Sequence, residues 1–132
     1  MKKDYIGIDL STITFKNIND SSIITHRASV ITQEEALDIG KRFAAQVRAK
    51  VDPDARIFAF GSIIKGNAGL ESDIDIAVVS KVFDGDYFRE AGRVSGLAQS
   101  VSWDIEVHAV TGMDWTKDGP HVSEIKKWGI EI

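Results

Sequence analysis

Apolar residues recur with two periods along this chain, and those periods divide it into helices and strands. After Thr32, the positions Ala36, Ile39, Phe43, Val47 and Val51 fall on one face of a helix. Thr32 and Glu35 form a capping-box pair that starts it, and Asp52-Pro53-Asp54 stops it. Arg56 to Phe60 is a short apolar run that predicts a buried strand ending at Gly61. Gly61, Gly66 and Gly69 punctuate the segment to Ser72, which reads as a loop or a short helix and turn. Asp73 to Val79, rich in Ile and Val, predicts a second strand. Asp84 or Asp86 is placed to cap a helix running to about Ser100, with Phe88, Ala91, Val94, Leu97 and Ala98 inward. Val101 to Val110 alternates: Val101, Trp103, Ile105, Val107 and Ala109 against Ser102, Asp104, Glu106 and His108. Pro120 opens a last helix, His121 to Trp128, that Gly129 ends. Residues 4–25 alternate irregularly and predict short strands or an extended arm. The order implies an α/β or α+β domain around a small sheet.

A chain of 132 residues suits one domain with a real core and is too short for two. No apolar run approaches the roughly 20 residues of a membrane span, and Asp4 and Asp9 interrupt any signal-like start after Lys2 and Lys3. The absence of cysteine excludes disulfides, thiolate metal sites and a cysteine nucleophile, and fits a cytoplasmic protein. A net charge of −4 argues against a broad basic footprint for nucleic acid. It still permits binding of a triphosphate when metal ions stand between the two.

The candidate chemistry lies in the stretch from Gly61 to Val79. Residues two apart on a strand point to one face with α-carbons about 6.5–7 Å apart, so Asp73 and Asp75 are expected to converge while Ile74, Ile76 and Val78 pack the other face. Two carboxylates this close repel and lose hydration, and hard oxygen ligands at this spacing suit Mg²⁺. Spaced acidic pairs are nonetheless common here, as in Asp52/Asp54, Glu71/Asp73 and Asp84/Asp86, and most such pairs are solvated turns. Asp73/Asp75 and Asp104/Glu106 differ because apolar neighbours alternate with the acids. Gly61-Ser62, directly after an apolar strand, allows close approach of a phosphate and a hydroxyl contact to it, or else is an ordinary turn. Lys65 is either a phosphate contact or a solvated lysine. Asn67-Ala68 stands where a P-loop requires Lys-Ser/Thr, and no Gly-x-Gly-x-x-Gly follows a strand, so both of those nucleotide sites are excluded.

Together, Gly61-Ser62, Lys65-Gly66, Ser72-Asp73-Ile74-Asp75 and the following apolar strand resemble the signature of the DNA polymerase β-type nucleotidyltransferase superfamily, and within it the minimal nucleotidyltransferases. The likeness runs from about Gln33 to the C-terminus and implies a polymerase β-like fold, a small mixed sheet flanked by helices. Residues 31–132 would be the nucleotidyltransferase domain and residues 1–30 an N-terminal extension outside the likeness. The family's third acidic residue is matched best by Glu106, because Ile105-Glu106-Val107-His108 resembles an Ile-Glu-Pro-His segment; Asp104 is the second choice. The resemblance implies two Mg²⁺ ions, with Mn²⁺ as an alternative, held by Asp73, Asp75 and Glu106. ATP would be the substrate, oriented by Gly61, Ser62, Lys65 and Ser72.

Proteins similar to this one are often antitoxins paired with a HEPN-type ribonuclease toxin, to a tyrosine of which they attach AMP. The resemblance therefore implies a protein adenylyltransferase with a protein partner, with self-association left open. The alternatives are a binding module that neutralises a partner by covering it, and a small-molecule transferase of the aminoglycoside type. His108 is expected on the metal-facing side or as a surface histidine beside an acid. His26 and His121 have no partners at ligand spacing and are read as having no role. Trp103, Trp115 and Trp128 read as core and rim packing.

Overall fold

The computed structural model of the protein describes residues 29–132, so the short strands or arm expected over residues 4–25 lie outside the described residues. Thr32–Asn67 and Asp73–Ile132 form one compact body. Ala68–Ser72 falls in a second unit and is a tight turn, in which Gly69 N–H donates to Ser72 Oγ (2.9 Å) and Ser72 N–H to the Gly69 carbonyl (3.2 Å).

Helix α1 (Gln33–Lys50) starts at the expected capping box: Glu35 N–H donates to Thr32 Oγ1 at 3.0 Å, and Thr32 N–H to Glu35 Oε1 at 2.9 Å. It buries Ala36, Gly40, Phe43, Ala44 and Val47. Strand β1 (Arg56–Phe60) follows the Asp52 turn, then comes the single-turn helix α2 (Ser62–Lys65) and strand β2 (Ile74–Ser80). A short helix α3 (Val82–Gly85) leads into α4 (Tyr87–Val101), capped by Asp86. Strand β3 (Ile105–Thr111), helices α5 (Gly112–Lys117) and α6 (Pro120–Trp128), and the two-residue strand β4 (Ile130–Glu131) complete the body.

The sheet order is β3-β2-β1-β4, with β1 antiparallel to β2 and β4, and β2 parallel to β3. It is a mixed sheet flanked by helices, the α+β architecture expected. One face carries Ile57, Ala59, Ile74, Ile76 and Val78, all buried. Helix α1 lies close on this face, where a Cβ on Gly40 would meet Ile76 Cδ1 at 3.1 Å. The other face carries Phe58, Phe60, Ala77, Val79 and Val110, which pack with Val122 and Ile125 of α6. Trp115 of α5 stacks on Phe58 at 5.1 Å. Each fully buried Phe or Ile contributes about 1.5–3 kcal/mol, so Phe43, Phe83, Ile57 and Ile76 are among the main anchors.

Three local expectations are corrected. Residues 101–104 are not strand: Val101 ends α4, and Ser102 N–H still bonds back to Ala98 at 2.9 Å. Phe88, expected inward, is 87% exposed, because α4 turns Val94 and Ala98 to the core instead. Trp103, expected in packing, is 81% exposed beyond the helix end.

Strand β4 is held beside β1 by a paired contact, Arg56 Nε and Nη2 each donating to Glu131 at 2.9 Å. Those hydrogen bonds, helped by the guanidinium charge, hold the Glu131 carboxyl below its ordinary value against a smaller opposing effect of desolvation. A depressed carboxylate pKa stabilises the fold above the unfolded value, and that contribution fades as pH falls through the folded one. Both side chains are about half exposed, which limits the contribution to roughly 0.2–1 kcal/mol. Glu131→Gln is expected to lower stability by that amount near neutral pH and by nothing in acid, as urea melts at the two pH values would record.

Candidate active site

The ladder fixes which side chains share the end of the sheet. Phe60 pairs with Asp75 across β1 and β2, and Asp75 with Glu106 across β2 and β3. Residues in register point to the same face, so the two carboxylates stand side by side at the end of the α6-covered face. His108, two residues along β3, lies opposite Ala77, whose small side chain leaves room for the imidazole to lean towards Asp75. His108 Nε2 and Asp75 Oδ1 are 3.1 Å apart. Ligand atoms of Asp75, Glu106 and His108 all lie within 4.8 Å of one another.

Like charges directly opposite on neighbouring strands destabilise a sheet unless something compensates. Glu106 is exposed, while Asp75 and His108 are only about a quarter exposed, so the cluster opens to solvent on one side. Two carboxylates and an imidazole within this radius fit a divalent ion. The oxygens suit Mg²⁺, and the nitrogen donor widens the choice towards Mn²⁺ and other transition metals.

Gly61 closes the site against β1. Its backbone (φ 86°, ψ −165°) lies where non-glycine residues are strained, and a Cβ there would stand 2.1 Å from Asp75 Oδ2. The Gly61 backbone therefore touches the carboxylate directly, and Ser62 follows at the first position of α2. Lys65 N–H closes α2 onto the Gly61 carbonyl at 3.0 Å, and Gly66 ends it in the left-handed conformation (φ 84°). Gln33 Nε2 donates to the Ile64 carbonyl at 3.0 Å, tying the loop to α1.

Among the other candidates, Asp73 sits one residue before β2, where the ladder no longer enforces alternation, and is not one of the three clustered residues. Asp104 sits one residue before β3, and its carbonyl accepts from Ile74 N–H at 2.8 Å. Ser72 belongs to the separate turn, its hydroxyl accepting from Gly69. Lys65 Nζ is ion-paired with Glu124 of α6 at 3.1 Å. The bland acidic pairs have structural work: Asp52 Oδ1 accepts from Asp54 N–H, Asp84 from Gly112 N–H, and Asp86 from Arg89 N–H. His121, read from sequence as having no role, lies with its ring 5.2 Å from that of His108 and 5.7 Å from that of Phe60. No spacing rule could find it, because α6 reaches the site only through the fold.

The nucleotidyltransferase domain family matches residues 41–128, and the chain belongs to that family. Among solved structures, "Crystal structure of putative nucleotidyltransferase" is 29% identical, with a TM-score of 0.45 over 59% of this chain and 85% of that one. No curated protein matches the chain. Among the described residues, no helix is long and apolar enough to cross a membrane.

Proposed function

We propose that this chain transfers AMP from ATP to a hydroxyl acceptor, a tyrosine of a HEPN-type partner protein, and so acts as an antitoxin. The observation that carries the transfer chemistry is Asp75 and Glu106 in register, with the Gly61-Ser62 turn pressed against Asp75. The acceptor rests on the resemblance to minimal nucleotidyltransferases alone.

Asp75, Glu106 and His108 would hold a divalent ion, and Asp73, one residue before β2, would join Asp75 in holding a second. Divalent ions bound there would neutralise triphosphate charge and lower the pKa of the acceptor hydroxyl. The Gly61-Ser62 turn orients the phosphates through its backbone and the Ser62 hydroxyl. In the transfer the acceptor oxygen bonds to the α-phosphorus, the α–β bridging bond breaks, and pyrophosphate leaves. The acceptor proton passes to solvent past Glu106, the exposed carboxylate of the cluster. Positioning and charge neutralisation supply most of the acceleration in such reactions.

Calorimetric titration with a non-hydrolysable ATP analogue should show binding that requires Mg²⁺ or Mn²⁺. A co-expressed HEPN-type partner should carry an AMP adduct on tyrosine by mass spectrometry. Binding without any adduct would sink the acceptor assignment; no binding under any metal would sink the transferase reading and favour neutralisation by contact.

A further inference from the structure

We infer that His121 donates a hydrogen bond to the β or γ phosphate of the bound nucleotide, which makes α6 one wall of the active site; this rests on the transferase reading above. A polyanion approaching Asp75 and Glu106 meets two groups that only accept hydrogen bonds when ionised. It therefore needs donors around them besides any ion. Ser62, at the first position of α2, supplies a hydroxyl. Lys65, the obvious cation of the loop, is drawn to Glu124.

His121 is exposed, and its ring is tilted 39° to that of His108, which itself contacts Asp75. Phe60, the residue in register with Asp75, holds both imidazoles edge-on, at 4.9 Å for His108 and 5.7 Å for His121. Glu124 stands three residues further along α6, on the same side of the helix as His121. One helix face thus meets the acidic cluster through His121 and the phosphate loop through Glu124. Val122 and Ile125, on the neighbouring stripe, are buried in the core and fix that face in place. A neutral imidazole keeps one N–H donor, so the contact needs no change of protonation.

The test compares His121→Ala, His121→Phe and His121→Gln by calorimetry with the non-hydrolysable ATP analogue plus Mg²⁺, and with AMP alone. Losing one hydrogen bond to a charged group should weaken analogue binding on the order of tenfold in the Ala and Phe variants. Gln, which restores an N–H donor, should recover most of it, and AMP affinity should stay unchanged in all three. Phe binding the analogue like wild type would show that the ring only packs against Phe60 and His108, and would overturn the inference. An equal loss for AMP would overturn it too, by placing the contact away from the β and γ phosphates. Wild-type protein that binds no analogue under any metal would instead remove the transferase reading itself. Wild-type binding with indifferent His121 variants removes this inference alone.

Discussion

Asp75→Asn is expected to abolish nucleotidyl transfer, by roughly three orders of magnitude or more in kcat/KM, while leaving the fold as stable as before or more so. The two halves of that expectation come from the same register. Asp75 and Glu106 are opposite each other on β2 and β3, so the ladder sets two carboxylates side by side. Asparagine keeps the shape, the clearance beneath Gly61 and a hydrogen-bond partner for His108, yet removes one of the repelling charges. It also removes the ligand around which Glu106 and His108 gather. Thermal melts and a transfer assay on the same preparation check both halves. A variant with wild-type transfer would exclude Asp75 from the chemistry. A large drop in Tm would show that the carboxylate is a structural group rather than a functional one.

Gly61→Ala should lose activity and stability together. The backbone at Gly61 occupies a region reserved almost wholly for glycine, where another residue costs about 1–3 kcal/mol. The new methyl would stand 2.1 Å from Asp75 Oδ2, so the carboxylate must rotate away or β1 and β2 must separate at their ends. Either movement displaces the acid from Glu106 and His108, and a fall of at least about a hundredfold in kcat/KM follows, since misplacement by an ångström has that effect. Urea melts would report the strain and steady-state kinetics the displacement. Near-wild-type kinetics with reduced stability would mean that Asp75 tolerates a different rotamer.

Much of the body was legible because its elements announce themselves locally. The capping box at Thr32 and Glu35, the apolar run Arg56–Phe60, the Ile/Val-rich strand after Asp73 and the Pro120 helix start each depend on neighbouring residues. What was hidden depends on distant ones. The end of the sheet forms where Ile132 N–H finds the Ile57 carbonyl at 2.9 Å. Alternation ran too far upstream at Val101 because Val, Trp and Ile at every second position fit a strand until α4 claims the first of them. In the site, the spacing of Asp73 and Asp75 suggested a pair on one strand. The gathering of Asp75 with Glu106 and His108 is a property of how two strands align, which no spacing within one segment encodes. His121 was invisible for the same reason.

Parallel pairing of β2 with β3 over seven residues has a further consequence for how such a protein can change. The distance between Asp75 and Glu106 is set by the ladder, so the crossover through α3 and α4 carries no information about the site. Its helices could be lengthened, shortened or exchanged, provided Phe83, Val94 and Ala98 still find apolar replacements in the core and Gly112 N–H keeps an acceptor in place of Asp84. The turn at Gly61 has no such freedom, because it reports directly on where the carboxylate sits. Grafted crossovers are therefore the tolerant route to new surfaces on this scaffold, and the glycine turn is the part that must be transplanted intact.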